Sequence, residues 1–201
     1  VAAIGELAHL ALDQYYELDR KSRPGNPRIT VSSSSFIPKP FTPFSWEKQD
    51  SIETIQEKQK LLGENIHSKV IKYQYHDSKT SRLEGIFARG DRRLAKVLYT
   101  AWKKGCKMDG WTEFFKYDTW MEAFAECGID PDFYTARTRS YDEVFPWDHI
   151  DVGVTKDFLI RENRRAHESK TTRPCLTACN KCGADCWDTG ICMKYKKEEM
   201  K

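Results

Sequence analysis

The chain has 201 residues, of which 39% are hydrophobic and 12% aromatic, enough for one good-sized domain or for one domain and a small appendage. No apolar run approaches the roughly 18 residues that a spanning helix needs, so we expect no membrane partner, and the aromatic content argues against a wholly disordered chain. Lys and Arg number 33 against 30 Asp and Glu, so the net charge does not by itself indicate a nucleic-acid partner.

The beginning of the sequence and its cysteines suggest a context. The chain starts at Val1 without a Met or a positively charged signal segment, so we expect a piece of a longer polypeptide whose upstream part is its first partner. Five of the seven cysteines fall within the last 27 residues. Such clustering is typical of a metal or cluster site in a reducing compartment, which predicts a cytoplasmic protein. Cys106 and Cys127 stand apart and are expected to be core thiols.

The first half of the chain alternates helix and strand signals. Val1 to Asp19 carries apolar residues at helical spacing, and Lys21 to Pro27 ends that helix with Pro and Gly. Arg28 to Ile37 predicts a buried strand whose four serines suit the lining of a cavity, although a Ser-rich loop is the alternative. Pro38 to Trp46 contains three prolines, which predicts a stiff, extended loop.

A second helix and a second strand follow. Asp50 or Ser51 is the predicted N-cap of the helix, and Val70 to Asp77 alternates apolar and polar residues as a strand does. This order of elements, with crossovers of this length, predicts a parallel α/β sheet. Ligands gather at the carboxyl ends of such strands, where the Pro-rich loop and His76 both lie.

Beyond residue 78 the pattern favours helices. They are predicted to begin at Asp91, at about Asp118, at Asp130 and at Thr155, with an ordered loop from Tyr141 to Gly153.

Charge is unevenly divided over this half of the chain. A basic segment, residues 78–116, has ten Lys or Arg against four Asp or Glu, and an acidic segment, residues 117–151, has two Arg against nine Asp or Glu. The two segments either face different partners or pair with each other within the fold, and we expect the pairing.

One segment carries a family resemblance. Val31 to Trp46, VSSSSFIPKPFTPFSW, resembles the sixth-strand region of radical S-adenosylmethionine (radical SAM) enzymes, and is most similar to the subgroup that often carries a cobalamin-binding-like domain. The methylthiotransferase branch has a related pattern, S-P-R-x-G-T-P. Four residues match it: Pro38, Lys39, Thr42 and Pro43. Phe41 replaces the glycine of this pattern. The replacement indicates a differently shaped entrance to the substrate site, and not a methylthiotransferase.

Short sequence segments further along the chain extend the resemblance. HDSKTS from His76, ARGDRR from Ala88, DGW from Asp109 and PWDHIDVG from Pro146 look like the carboxyl-terminal half of a bacterial family of uncharacterised radical SAM, or Fe–S oxidoreductase, proteins. The resemblance runs to about Cys186. It implies an α/β fold: the last strands and helices of a partial (β/α)6 TIM-type radical SAM barrel over residues 1–80, and a mainly helical extension over 81–170. The cysteine spacing adds a Cys-rich metal-binding tail over 171–201.

The resemblance also implies cofactors. The sixth strand of these enzymes contacts the adenine of S-adenosylmethionine, a role that falls here on Phe36, Ile37 and Pro38; alternatively these residues only end a strand and pack a helix. The family holds its [4Fe–4S] cluster with a Cys-x3-Cys-x2-Cys loop after the first barrel strand, which would lie before Val1. The chain alone should therefore not cleave S-adenosylmethionine.

The tail predicts a metal site of its own. Cys179 and Cys182 have the spacing of a metal knuckle, and with Cys175 and Cys186 they supply four soft ligands for one centre, an iron–sulfur cluster or zinc. The resemblance favours iron, Cys192 is not needed, and the alternative is an unstructured, reduced tail. The first three cysteines share the spacing of the radical-cluster loop, which we interpret as coincidence because no barrel strand precedes them.

Other side chains are weaker candidates. His149, between two aspartates, and His76, at a strand end, could act as general acid or base, although a histidine bonded within an ordered loop is commoner. Arg82, Arg89, Arg92 and Arg93 could bind phosphate or the acidic segment, and with Trp102, Trp111 and Phe114 they could hold single-stranded RNA.

Two hypotheses follow. The first is the distal part of a radical SAM iron–sulfur enzyme with an unidentified substrate; the second is a metal-stabilised module that docks RNA or a ribosome-related partner.

Overall fold

The computed structural model describes residues 1–175 and 177–184, which form an α/β fold. Its elements in chain order are α1 (Ala2–Glu17), a short 3-10 helix (Arg20–Ser22), β1 (Ile29–Ser33), α2 (Ile52–Glu64), β2 (Ile71–Tyr75), α3 (Ser78–Ala88), α4 (Leu94–Lys103), α5 (Tyr117–Glu126), α6 (Asp132–Thr135) and α7 (Lys156–His167). None of the helices within these residues is long and apolar enough to cross a membrane.

The two strands pair in parallel, as the sequence predicts. Ile29 is opposite Ile71 and Ser33 is opposite Tyr75, and α2 makes the crossover between them. Within the described residues the sheet contains these two strands alone, so its two outer edges have no strand partner there.

Local signals explain most helix ends. Ser51 caps α2 by accepting a hydrogen bond from the Thr54 N–H at 3.2 Å, and Thr155 caps α7 by accepting one from Phe158 at 3.3 Å. Gly105 and Gly128 follow α4 and α5 with positive φ, the conformation that ends a helix.

Three apolar clusters form the core. The first joins α1 to the sheet through Ala8, Leu12 and Ile71. The second, the largest, packs α3, α4, α5 and α6 around Ile86, Val97, Ala123 and Phe124. The third consists of Trp46, Phe145, Trp147 and Leu159, which bring the loop after β1 against the loop before α7.

Three expectations differ from the structure. The predicted strand over residues 28–37 ends at Ser33 and is only half-buried, because β2 offers it no partner beyond Tyr75. Not every apolar residue at helical spacing in the first helix packs against the core, since Ile4 and Leu7 are exposed. Helix α3 was not predicted at all.

The basic and acidic segments do pair with each other. Arg82 binds Asp132, and Lys104 lies within 3.4 Å of Glu122 and 3.2 Å of Glu126. These ion pairs join α3 to α6 and α4 to α5, and they neutralise part of the opposite charge of the two segments.

Candidate functional site

A cavity of about 210 Å³ lies at the carboxyl end of β1. Its wall includes the serines that end the strand, together with α2 side chains. The Ser33 hydroxyl lies 3.0 Å from the Tyr73 hydroxyl on the neighbouring strand. The Ser35 hydroxyl is buried and has no hydrogen-bond partner among the described residues. An unpaired buried hydroxyl is costly, and because this one has almost no accessible surface, a ligand atom could reach it only if the wall moved.

The three residues expected to contact a cofactor differ in accessibility. Phe36 lines this cavity with about half of its side chain exposed, and its ring meets Phe44 edge to face at 5.7 Å. Ile37 is half-buried and the Pro38 ring is fully buried. Phe36 is therefore the side chain best placed to stack on a ligand.

His76 continues the sheet through its backbone. Its N–H donates to the Ser33 carbonyl at 3.4 Å, and its own carbonyl accepts from Gln59 at 2.8 Å. The imidazole is exposed and does not line the strand-end cavity. The adjacent Asp77 is committed to the N-cap of α3 and accepts from the Thr80 N–H at 2.8 Å.

Two buried arginines fix the loop that follows the cavity. Arg89 donates to the carbonyls of Glu47 at 2.6 Å and Ser45 at 3.1 Å, and the backbone N–H of Arg139 donates to the Trp46 carbonyl at 2.8 Å. Only 1% of Arg89 is exposed. Burial, together with the neighbouring cations of Arg139 and Arg137, lowers the pKa of Arg89 to about 10. We call Arg89 and Arg139 the arginine clamp.

Glu47 links this loop to α7. Its Oε1 accepts from Asn163 Nδ2 at 2.8 Å and lies 2.7 Å from His167 Nε2. Burial by itself would raise the pKa of Glu47, but the hydrogen bonds from Asn163 and His167 outweigh it, so the pKa is lowered. The sequence gives no signal for this contact, because its partners lie more than a hundred residues away.

A larger cavity of about 470 Å³ opens where the third apolar cluster reaches the surface. Trp46, Phe145 and Trp147 form its aromatic wall, and His149 lies on its rim. The flanking carboxylates serve the backbone: Asp148 accepts from Phe145 N–H at 3.0 Å and Asp151 from Gly153 N–H at 2.8 Å. No described hydrogen bond joins either aspartate to His149, so the expected carboxylate-oriented base is not assembled in this conformation.

Three of the four arginines expected to recognise phosphate have other partners. Arg89 belongs to the clamp, Arg82 is paired with Asp132, and Arg93 is paired with Asp91 at 2.6 Å. A set of large apolar side chains, most of them aromatic, is exposed on and after α4. This α4 aromatic face consists of Leu98, Tyr99, Trp102, Met108, Trp111 and Phe114.

The tail is described only as far as residue 184. Cys175 and Cys179 are exposed and Cys182 is half-buried, whereas Cys186 and Cys192 lie outside the described residues. The described part of the chain contains no group of three or more His, Cys, Asp or Glu arranged to hold a metal ion. Helix α7, rather than a strand, precedes these cysteines.

Comparison of the chain with models of protein families, with curated proteins and with solved structures finds no match. The chemistry of each site therefore has to be inferred from its own residues.

Proposed function

We propose that this chain is the distal part of a radical SAM iron–sulfur enzyme of the cytoplasm and that its strand-end cavity contributes to the S-adenosylmethionine and substrate site. The observation that carries the proposal is a pair of parallel strands that have no further strand partner among the described residues, with a serine-lined cavity at one end. Parallel sheets occur almost only with several strands and with both faces covered. A sheet of two strands is what we expect of this chain if further strands, from another part of a longer polypeptide, complete the barrel.

The cavity walls fit an adenosyl group in two respects. The half-exposed Phe36 ring offers a face for the adenine, and the Ser33 and Tyr73 hydroxyls, which also line the cavity, offer polar contacts. Bound S-adenosylmethionine, with a reduced [4Fe–4S] cluster, would supply the radical chemistry. The residues of this chain would bind and orient the nucleoside, while the arginine clamp holds the loop that carries Ile37 and Pro38.

The test uses the natural polypeptide that contains this chain, reconstituted with iron and sulfide without oxygen. We expect reductive cleavage of S-adenosylmethionine to 5′-deoxyadenosine, and Phe36→Ala should weaken S-adenosylmethionine binding about fivefold because a stacking contact is lost. Phe114→Ala is the matched control, since that ring is equally exposed but lies on the α4 aromatic face. The absence of any 5′-deoxyadenosine would rule the proposal out.

The α4 aromatic face supports the second candidate, a module that docks RNA or a ribosome-related partner. Trp102 and Trp111 are 54% and 64% exposed, Tyr99 stacks on Trp102, and Lys103 Nζ lies 4.5 Å from the centre of the Tyr99 ring. Exposed rings beside cations are the usual platform for single-stranded RNA.

Fluorescence anisotropy with a labelled oligouridine checks this second candidate. Binding should weaken with salt, and Trp102→Ala with Trp111→Ala should reduce the affinity at least tenfold, because stacking contributes about 1–3 kcal/mol per base. Tyr75→Ala, an exposed ring on β2, should leave the affinity unchanged. Equal affinities for the parent and the double variant would exclude this face as the RNA site.

A further inference from the structure

The turn from Cys179 to Ala184 has the backbone arrangement of a metal-binding knuckle. The N–H of Lys181 points at Cys179 Sγ at 3.4 Å, and the N–H of Ala184 points at Cys182 Sγ at 3.5 Å. Each sulfur thus accepts from the N–H two residues further along the chain. Backbone donors aimed at sulfur stabilise the thiolate, which is the form that binds metals.

Two residues of this turn have a left-handed backbone conformation. Lys181 has φ +53° and Gly183 has φ +91°. A left-handed backbone is unfavourable for residues other than glycine, so Lys181 holds this conformation against its own preference. In a Cys-x2-Cys-Gly turn the reversal lets both sulfurs approach one ion.

The turn is also anchored to the start of α7. The Thr155 N–H donates to the Cys182 carbonyl at 2.9 Å, and Arg161 donates to the Asn180 carbonyl at 2.5 Å. Gly183 packs so closely that a Cβ there would lie 2.8 Å from Thr155 Cγ2 and 2.9 Å from the Gly153 carbonyl oxygen. The two cysteines are therefore held in place without help from a ligand.

We propose that Cys179 and Cys182 chelate one zinc ion, which ties the tail to the start of α7. Zinc suits a pair of thiolates in one knuckle because both can bind the same tetrahedral ion, whereas each iron of a [4Fe–4S] cluster takes a single thiolate. Chelation by the pair forms two Zn–S bonds and releases two thiol protons to water.

Cys175 is the next ligand along the described chain. It is exposed, and the contact of its Sγ is with Asn180 Nδ2 at 4.0 Å. The described residues place no third ligand beside Cys179 and Cys182. Cys175 therefore has to turn toward this pair to become the third ligand when the ion binds. Zinc binding at this site requires neither S-adenosylmethionine nor any residues before Val1. The zinc proposal can therefore be tested independently of the proposed enzyme function.

The full chain, purified under reducing conditions, is titrated with zinc and, in parallel, with Co²⁺, whose thiolate charge-transfer absorption reports sulfur ligation. We expect one ion per chain. Cys179→Ser combined with Cys182→Ser should abolish the charge-transfer band, and Cys175→Ser should lower the affinity without abolishing it. Cys127→Ser is the control, because Cys127 lies beside Thr100 in another part of the fold.

A glycine pair tests whether the anchored backbone matters. Gly183→Ala removes no ligand but drives a methyl group into Thr155, so zinc affinity should fall about 10- to 100-fold. Gly110→Ala places its methyl group in open space and should bind zinc like the parent. Metal retained by the double Cys variant, equal affinities for the two glycine variants, or iron with acid-labile sulfide in place of zinc would each overturn the proposal.

Discussion

Phe41 shows how a single residue can hold an unfavourable backbone for the sake of its side chain. Its φ is +56°, and it occupies the position where the related radical SAM pattern has glycine. Its ring packs on the third apolar cluster and lines the larger cavity. Burial of the ring offsets a backbone cost of about 1–2 kcal/mol.

Replacing Phe41 by glycine and by alanine should separate these two contributions. Both variants lose the ring, but alanine keeps the strained φ while glycine removes the strain, so Phe41→Gly should be the more stable by about 1 kcal/mol. Urea unfolding monitored by tryptophan fluorescence measures the difference. An alanine variant as stable as the glycine variant would show that the strain is negligible.

Glu47 should make the free energy of unfolding depend on pH in the acidic range. Its pKa is lowered in the folded chain, so its contribution is present above the unfolded value of 4.5 and is lost as the pH falls through the folded value. Glu47→Gln should therefore destabilise the protein at pH 7 and flatten the fall in unfolding free energy below about pH 5. Glu57→Gln on α2 is the control, and identical pH profiles for the two variants would contradict the assignment.

Among the elements, α3 depends most visibly on its cap. Asp77 accepts from both the N–H and the hydroxyl of Thr80, and the helix that follows carries Ser81, Leu83 and Ile86 into the interior. Asp77→Ala should lower the free energy of unfolding by about 1 kcal/mol, whereas Asp77→Asn should nearly preserve it because asparagine caps equally well. Thermal unfolding by circular dichroism distinguishes the two, and equal losses would mean that the charge, not the cap, stabilises α3.

The same helix shows why the sequence predicted some elements and not others. The helices α2 and α7 have strong caps, and α4 and α5 have clear apolar spacing, so they could be recognised locally. In α3 the buried positions include two serines and Gly85, residues with weak helix preference. Gly85 is there because Gln49 packs against it: an added Cβ would lie 2.3 Å from Gln49 Oε1. That neighbour is set by the fold and not by local sequence.

The candidate sites divide in the same way. The Ser-rich wall and the Cys179–Cys182 spacing are contiguous in sequence and could be predicted from it. Other contacts join residues that are far apart in sequence: those of the arginine clamp, and those of Glu47 with Asn163 and His167. No local sequence pattern predicts such contacts. Arg89 could be read as a phosphate ligand because nothing in the sequence marks it as buried.

At the scale of the whole molecule, the sheet, whose outer edges have no strand partner in residues 1–175 and 177–184, should govern association in solution. β1 has no charged residue, whereas β2 carries the exposed Lys72, so β1 is the less protected edge. We expect the isolated chain to associate as its concentration rises in analytical ultracentrifugation. Thr30→Lys should reduce that association, and Gln74→Lys on the protected strand should change it less. A cooperative, strictly monomeric chain would argue against a sheet that is completed by other strands.

The pairing of Ile29 with Ile71 also has a consequence for synthesis in the cell. A growing chain exposes β1 about forty residues before its partner strand exists, and at roughly 5–20 residues per second the delay is several seconds. During that time a strand of uniform Val and Ile would be an aggregation hazard. The serines that follow Val31 are small, polar and poor at forming such aggregates. We therefore expect the serines that line the cavity in the finished protein to make the nascent chain less prone to aggregate than a strand of Val and Ile would be.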